Sequence, residues 1–138
     1  MTLLEMLNNK PDLILLDSTE WLVRANLQHY KQLSPESIRL KLFRLFRALV
    51  KTVEVNSCSE VIKYMKNISE ERFDSGYELY EVQTALNILE ESLWKNIAKY
   101  VDEEKQVESL KLITCILGSA KEELAADYSL YCKEQVPA

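Results

Sequence analysis

His29 is the only histidine in the chain. One imidazole cannot build a multi-histidine metal site. Its ordinary role is that of a hydrogen-bond donor or cation near a helix C-terminus. Phosphotransfer is the sharper alternative, because histidine phosphotransfer domains are helical bundles with an exposed histidine. There the histidine is followed by lysine and glycine in mid-helix, whereas HYKQLSP sits at a predicted helix end and has no glycine. Cys58, Cys115 and Cys132 show no C-x-x-C spacing. Cys58 and Cys115 fall on or beside apolar stripes and read as small buried hydrophobes. Cys132 reads as an exposed, oxidisable thiol, with no lysine-rich or helix-start setting to lower its pKa. The pairs Glu70-Glu71 and Glu90-Glu91 are adjacent in sequence, so on a helix they diverge by about 100° and form no carboxylate dyad. Two glycines leave no room for a phosphate-cradling loop of either common pattern. These residues predict no catalytic centre, no cofactor and no metal.

The bases are more concentrated. Arg39, Lys41, Arg44, Arg47 and Lys51 crowd one segment, and Arg44, Arg47 and Lys51 share a stripe. That pattern fits a solvated face, or a docking surface for an acidic partner through Arg39, Arg44, Arg47 and Lys51. Nucleic acid is not expected. The chain carries 17 basic against 22 acidic residues, net −5, an acidic balance overall.

Helices must position these groups. Strands consume turn residues, and two glycines with three prolines supply few. Residues 2–9 predict a short helix ending at Asn8-Asn9, and Pro11 suits the first turn of the next. That second helix is expected over about 11–30. Its apolar positions are Leu13, Leu16, Trp21, Val23, Leu27 and Tyr30. Ser34-Pro35-Glu36 is a helix start. Beyond it Ile38, Leu42, Leu45, Phe46, Leu49 and Val53 recur at spacings of three and four. Ser57-Cys58-Ser59-Glu60 matches a capping box. The helix after it carries Val61, Ile62, Met65, Ile68 and Phe73, then meets Gly76, suited to a left-handed C′ position. Leu79, Val82, Leu86, Leu89, Leu93 and Ile97 form the following stripe. A last helix starts near Asp102, and its stripe runs from Val107 to Tyr131 through Gly118-Ser119-Ala120. Those small residues mark a bend or a close helix approach. Trp21, Tyr77, Tyr80 and Trp94 are expected to be core or half-buried.

At 138 residues the chain predicts one domain with a real core. The expected fold is all-α: an antiparallel helical bundle of four long helices plus a short N-terminal one, with a globin-like shape among its options. Residues 13–16, LILL, are too short to span a membrane, and no signal-peptide pattern frames them. An odd number of scattered cysteines fits a reducing compartment. The expected location is cytoplasmic.

One stretch carries a resemblance. FRLFRALV, then a serine-capped helix ending in SEERFDSGYELYEV, then QTALNILEESLW, resembles the N-terminal domain of the RsbT co-antagonist proteins, the RsbR and RsbRD type. The matching positions are Glu71-Arg72-Phe73, Gly76, Tyr77-Glu78-Leu79 and Glu81-Val82, with Trp21 similar to an early tryptophan of the family. The resemblance covers about residues 13–100, and it is a helical pattern rather than a catalytic string. It implies a sensory or regulatory module, all-helical, related in shape to globins without haem, and homodimeric. It also implies a signalling partner or a C-terminal output domain, of STAS or histidine kinase type, in bacterial stress response. No such output unit lies within these residues, so the chain is either a piece of a longer signalling protein or a free-standing sensor-like domain. The turn residues Arg72, Phe73, Gly76, Tyr77, Leu79 and Val82 would then fix an interhelix angle. The expected dimer face is apolar, formed by Leu3, Leu4, Leu7, Leu13 and Leu16, or by the last helix near Gly118.

Overall fold

Six α-helices make up the computed structural model, which describes residues 1–135. They are α1 (Leu3–Asn9), α2 (Pro11–Arg24), α3 (Pro35–Val55), α4 (Ser59–Asp74), α5 (Leu79–Tyr100) and α6 (Gln106–Gln135). Two 3₁₀ turns, Tyr30–Gln32 and Glu103–Lys105, precede α3 and α6. The all-α class is as expected. Each of the five segments read as helical after the short one forms a helix, one more than the bundle of four long helices expected.

Helix packing closes a ring: α2 on α3, α3 on α4, α4 on α6, α6 on α5, and α5 back on α2. Leu49, Val61, Leu86, Leu89, Leu93, Ile113 and Leu117 fill its centre with no meaningful exposure. Helix α1 closes one end against α3 and α5, burying Leu3, Met6 and Leu7. Consecutive α4 and α5 are the exception to the expectation that short connections give packed neighbours. They are joined by residues 75–78, yet each packs extensively on α6 rather than along the other.

Local chemistry explains most boundaries. Thr2 accepts from the Glu5 N–H at 3.1 Å and Glu5 accepts from the Thr2 N–H at 3.2 Å, a reciprocal cap on α1. Ser34 caps α3 by accepting from the Ser37 N–H at 3.1 Å. The second helix stops at Arg24, short of Tyr30, because Asn26 takes a left-handed backbone at φ 52°. Asparagine tolerates that conformation, and it ends a helix at C′. Asn56, at φ 53°, ends α3 the same way. The capping box at Ser57–Glu60 does not form. Cys58 is the N-cap without a side-chain bond, and Ser57 instead accepts from the Ser59 N–H at 3.3 Å.

Helix α2 turns a different face inward than its leucines suggested. Ile14, Leu15, Ser18 and Leu22 are buried, while Leu13, Leu16, Trp21 and Val23 are exposed. Ser18 occupies a core position because its hydroxyl donates to the Ile14 carbonyl at 2.7 Å. Ser92 of α5 donates to that same carbonyl at 3.3 Å, tying the two helices.

Candidate functional site

Gly76 sits at φ +86°, and two backbone bonds close the end of α4 around it. The Gly76 N–H donates to Phe73 and the Tyr77 N–H to Arg72, at 3.0 and 2.9 Å. This is the Schellman pattern, in which the left-handed residue lets two orphan carbonyls be satisfied. The contact that usually accompanies it is apolar. Here it is the Arg72 guanidinium, 5.5 Å from the Tyr77 ring centroid.

Tyr77 is the meeting point of the corner. Its ring stacks on His29 at 4.8 Å and takes Tyr30 edge-on at 5.2 Å. Its carbonyl accepts from the Tyr128 hydroxyl of α6 at 2.9 Å. Phe73 meets Tyr128 and Tyr131 of α6 at 5.3 and 5.2 Å. Val82 is buried one turn into α5. Leu79, half-buried, lines a surface groove with Phe73, Gly76 and Tyr77 on one side and Tyr128 and Cys132 on the other. The turn residues expected to act together are thus together, and they join α4, α5, α6 and the segment after α2.

Glu81 anchors that last segment. It is fully buried and accepts from the backbone N–H groups of His29 at 2.9 Å and Glu78 at 2.8 Å. Its Oε2 also lies 2.7 Å from His29 Nδ1. Burial opposes the charge, but those backbone donors and the imidazole outweigh it and hold the carboxyl below its ordinary value. His29 therefore lies in a turn rather than at a helix end. One ring nitrogen is committed to Glu81, and Nε2 sits 3.4 Å from where a Cβ on Gly76 would be.

Beneath the corner lies a buried charge. Arg72 is only 4% exposed and its Nε has no hydrogen-bond partner. Its Nη1 donates to Glu71 at 2.5 Å, and Lys41 of α3 reaches the same Glu71 oxygen at 3.7 Å. Arg72 and Lys41 line a cavity of about 30 Å³ with Tyr30, Tyr64 and the apolar side chains of Leu45 and Met65. Burial pushes Tyr30 up and Tyr64 up to about 12, so both phenols keep their protons. Burial also lowers the Lys41 ammonium, with Arg72 adding to the effect.

The other predicted positions separate. Leu3 and Leu7 belong to the core and are not available to a dimer face. Leu4 is half-buried, and Leu13 and Leu16 are 45% and 54% exposed. A Cβ on Gly118 would meet nothing within 4 Å, and α6 runs through Gly118-Ser119-Ala120 without interruption. Arg39 pairs with Asp12 at 3.0 Å, apart from the other bases. Arg44, Arg47 and Lys51 line a groove between α3 and α4 with Lys63, Glu60 and Tyr64. Trp21, Tyr80 and Trp94 are exposed rather than half-buried, and Trp21 is flanked by Arg24 and Lys95. Cys115 is exposed, not buried, as is Cys132. Among the described residues no group of side chains is arranged to hold a metal ion, and no helix is long and apolar enough to cross a membrane.

No family model matches the chain, and no curated protein or solved structure matches it.

Proposed function

We propose that this chain is a non-enzymatic regulatory domain, a helical bundle that acts on an attached or partner output module through dimerisation and helix rearrangement. The observation that carries the reading is the Tyr77 corner. One residue contacts His29, Tyr30, Arg72 and Tyr128, so a displacement there is felt by α4, α5, α6 and the segment leading to α3. The two helices that meet at Gly76 both pack on the 30-residue α6, which makes α6 the route by which a change of angle leaves the corner. A signal works by favouring one of two such arrangements. The resemblance to the N-terminal domains of RsbT co-antagonists supports the same reading and suggests a bacterial stress or kinase pathway and a globin-like shape, while the scattered cysteines and the net charge of −5 favour a cytoplasmic location and no nucleic-acid partner.

Leu13, Leu16 and Val23 on α2 and Leu40 and Phe43 on α3 are exposed apolar side chains that would supply such a dimer with a surface. With Leu3 and Leu7 in the core, the exposed members of the N-terminal face expected from sequence are Leu13 and Leu16, with Leu4 half-buried, and the last helix near Gly118 stays as the alternative. Light scattering across a dilution series tests this. The wild type is expected at twice the chain mass, and Leu16→Glu at the chain mass with its fold intact. A wild-type monomer at every concentration refutes the dimer. A histidine phosphotransfer role for His29 is less supported, since Nδ1 is held by Glu81 and Nε2 faces Gly76. A phosphodonor that labels the wild type but not His29→Ala would restore it.

A further inference from the structure

We propose that the cavity under the Tyr77 corner is a binding site for a small organic carboxylate with a compact apolar body, its charged end held by Arg72 and Lys41. Arg72 is the first reason. A buried guanidinium is costly unless its donors are met, and here Nε is buried with no partner. A carboxylate presents two acceptor oxygens that match such donors.

Charge balance is the second reason. Lys41 and Arg72 share Glu71, the one carboxylate paired with either among the described residues. Arg44 adds a third cation close enough to act on Lys41 and Tyr64. This corner is locally cationic within a chain of net charge −5. An anion completes it, whereas a neutral ligand leaves the excess in place.

The rest of the lining selects the body of the ligand. Leu22, Leu42, Leu45, Met65, Val82 and Leu86 face the cavity, so only the end near Arg72, Lys41, Tyr30 and Tyr64 is polar. A strongly hydrated, multiply charged anion would strand its remaining charge among those side chains. The cavity holds about 30 Å³, room for a water molecule, so a ligand must displace a wall. Tyr64 is the wall placed to move. It lines both the cavity and the basic groove of Arg44, Arg47, Lys51 and Lys63, so a swing of its ring opens one into the other. That groove would gather anions at the mouth.

Binding does not depend on the regulatory reading; only its consequence for α6 does. The test is a titration of the intact protein with isobutyrate, followed by the NMR signal of the Arg72 Nε–H. A saturable shift is expected, absent with the neutral isosteric isobutyramide. Lys41→Met, at a partly exposed helix position, should weaken it by about tenfold while preserving the spectrum of the fold. No saturable shift, or an equal response to isobutyramide, overturns the site. Equal binding of phosphate overturns the apolar half of the assignment and leaves an inorganic anion. Isobutyrate binding to a protein that is monomeric throughout would support the site while refuting the dimer.

Discussion

Replacing Glu81 should remove the main tie between the segment after α2 and α5. Its carboxylate receives the His29 N–H, the Glu78 N–H and the imidazole at 2.9, 2.8 and 2.7 Å, in a fully buried position. A hydrogen bond to a charged group contributes roughly 1.5–3 kcal/mol, but bonds sharing one acceptor do not add. Glu81→Ala also leaves the His29 and Glu78 N–H groups without their acceptor, and the total cost is expected at about 3–5 kcal/mol. Glu81→Gln keeps one carbonyl acceptor, and its amide faces donors with the other atom. A cost of about 1–2 kcal/mol follows. Urea unfolding at neutral pH measures both. For the alanine variant the thermal midpoint should fall by roughly 10–15 °C. The sign of the pH dependence follows from the same bonds. The folded Glu81 pKa lies below its ordinary 4.5, so its contribution is complete above that value and is lost as pH falls through the folded pKa. The glutamine variant should lack that acid-side loss. An alanine variant less than about 1 kcal/mol below wild type would refute the anchoring role.

Three further outcomes are expected. Gly76→Ala should cost about 1–2 kcal/mol in urea unfolding, since an L side chain is strained at φ +86°; an unchanged midpoint would mean that the corner relaxes freely. Burial first, and Glu123 next, raise Asp127 to about 6, facing Ser69 and Lys66 across the α4–α6 interface. Because the folded pKa lies above the ordinary 3.8, stability should fall as pH rises from about 4 through 6. Asp127→Asn should then gain about 1–3 kcal/mol on wild type between pH 4 and 7, and parallel pH profiles would contradict this. Leu13→Glu, like Leu16→Glu, should leave the urea midpoint at low protein concentration within about 0.5 kcal/mol of wild type, because it faces solvent.

Much of the fold was readable because α3, α5 and α6 each keep one uninterrupted apolar stripe, from Ile38 to Leu49, Val82 to Ile97 and Ile113 to Tyr128. Helix α2 was misread because its exposed face is also leucine-rich and a serine holds a core position. Only the Ser18 bond to Ile14, invisible to periodicity, explains that choice. The Gly76 corner was legible, since a lone glycine after a helix has few other uses. Its chemistry was not. Glu81 reads as an ordinary first-turn acid, and its partner His29 lies 52 residues earlier. The Arg72 cavity draws Tyr30, Lys41, Tyr64 and Arg72 from two helices and a turn, a juxtaposition that only tertiary packing creates.

The relay through Tyr77 is tested most directly by removing a single oxygen. Tyr128→Phe deletes the hydroxyl that holds the Tyr77 carbonyl to α6 and leaves the ring to pack on Phe73. Amide hydrogen exchange should then quicken at residues 29–33 and 77–82, beyond α6 itself, because the corner loosens as a unit. Faster exchange confined to α6 around residue 128 would contradict the account and leave Gly76 as a helix stop alone.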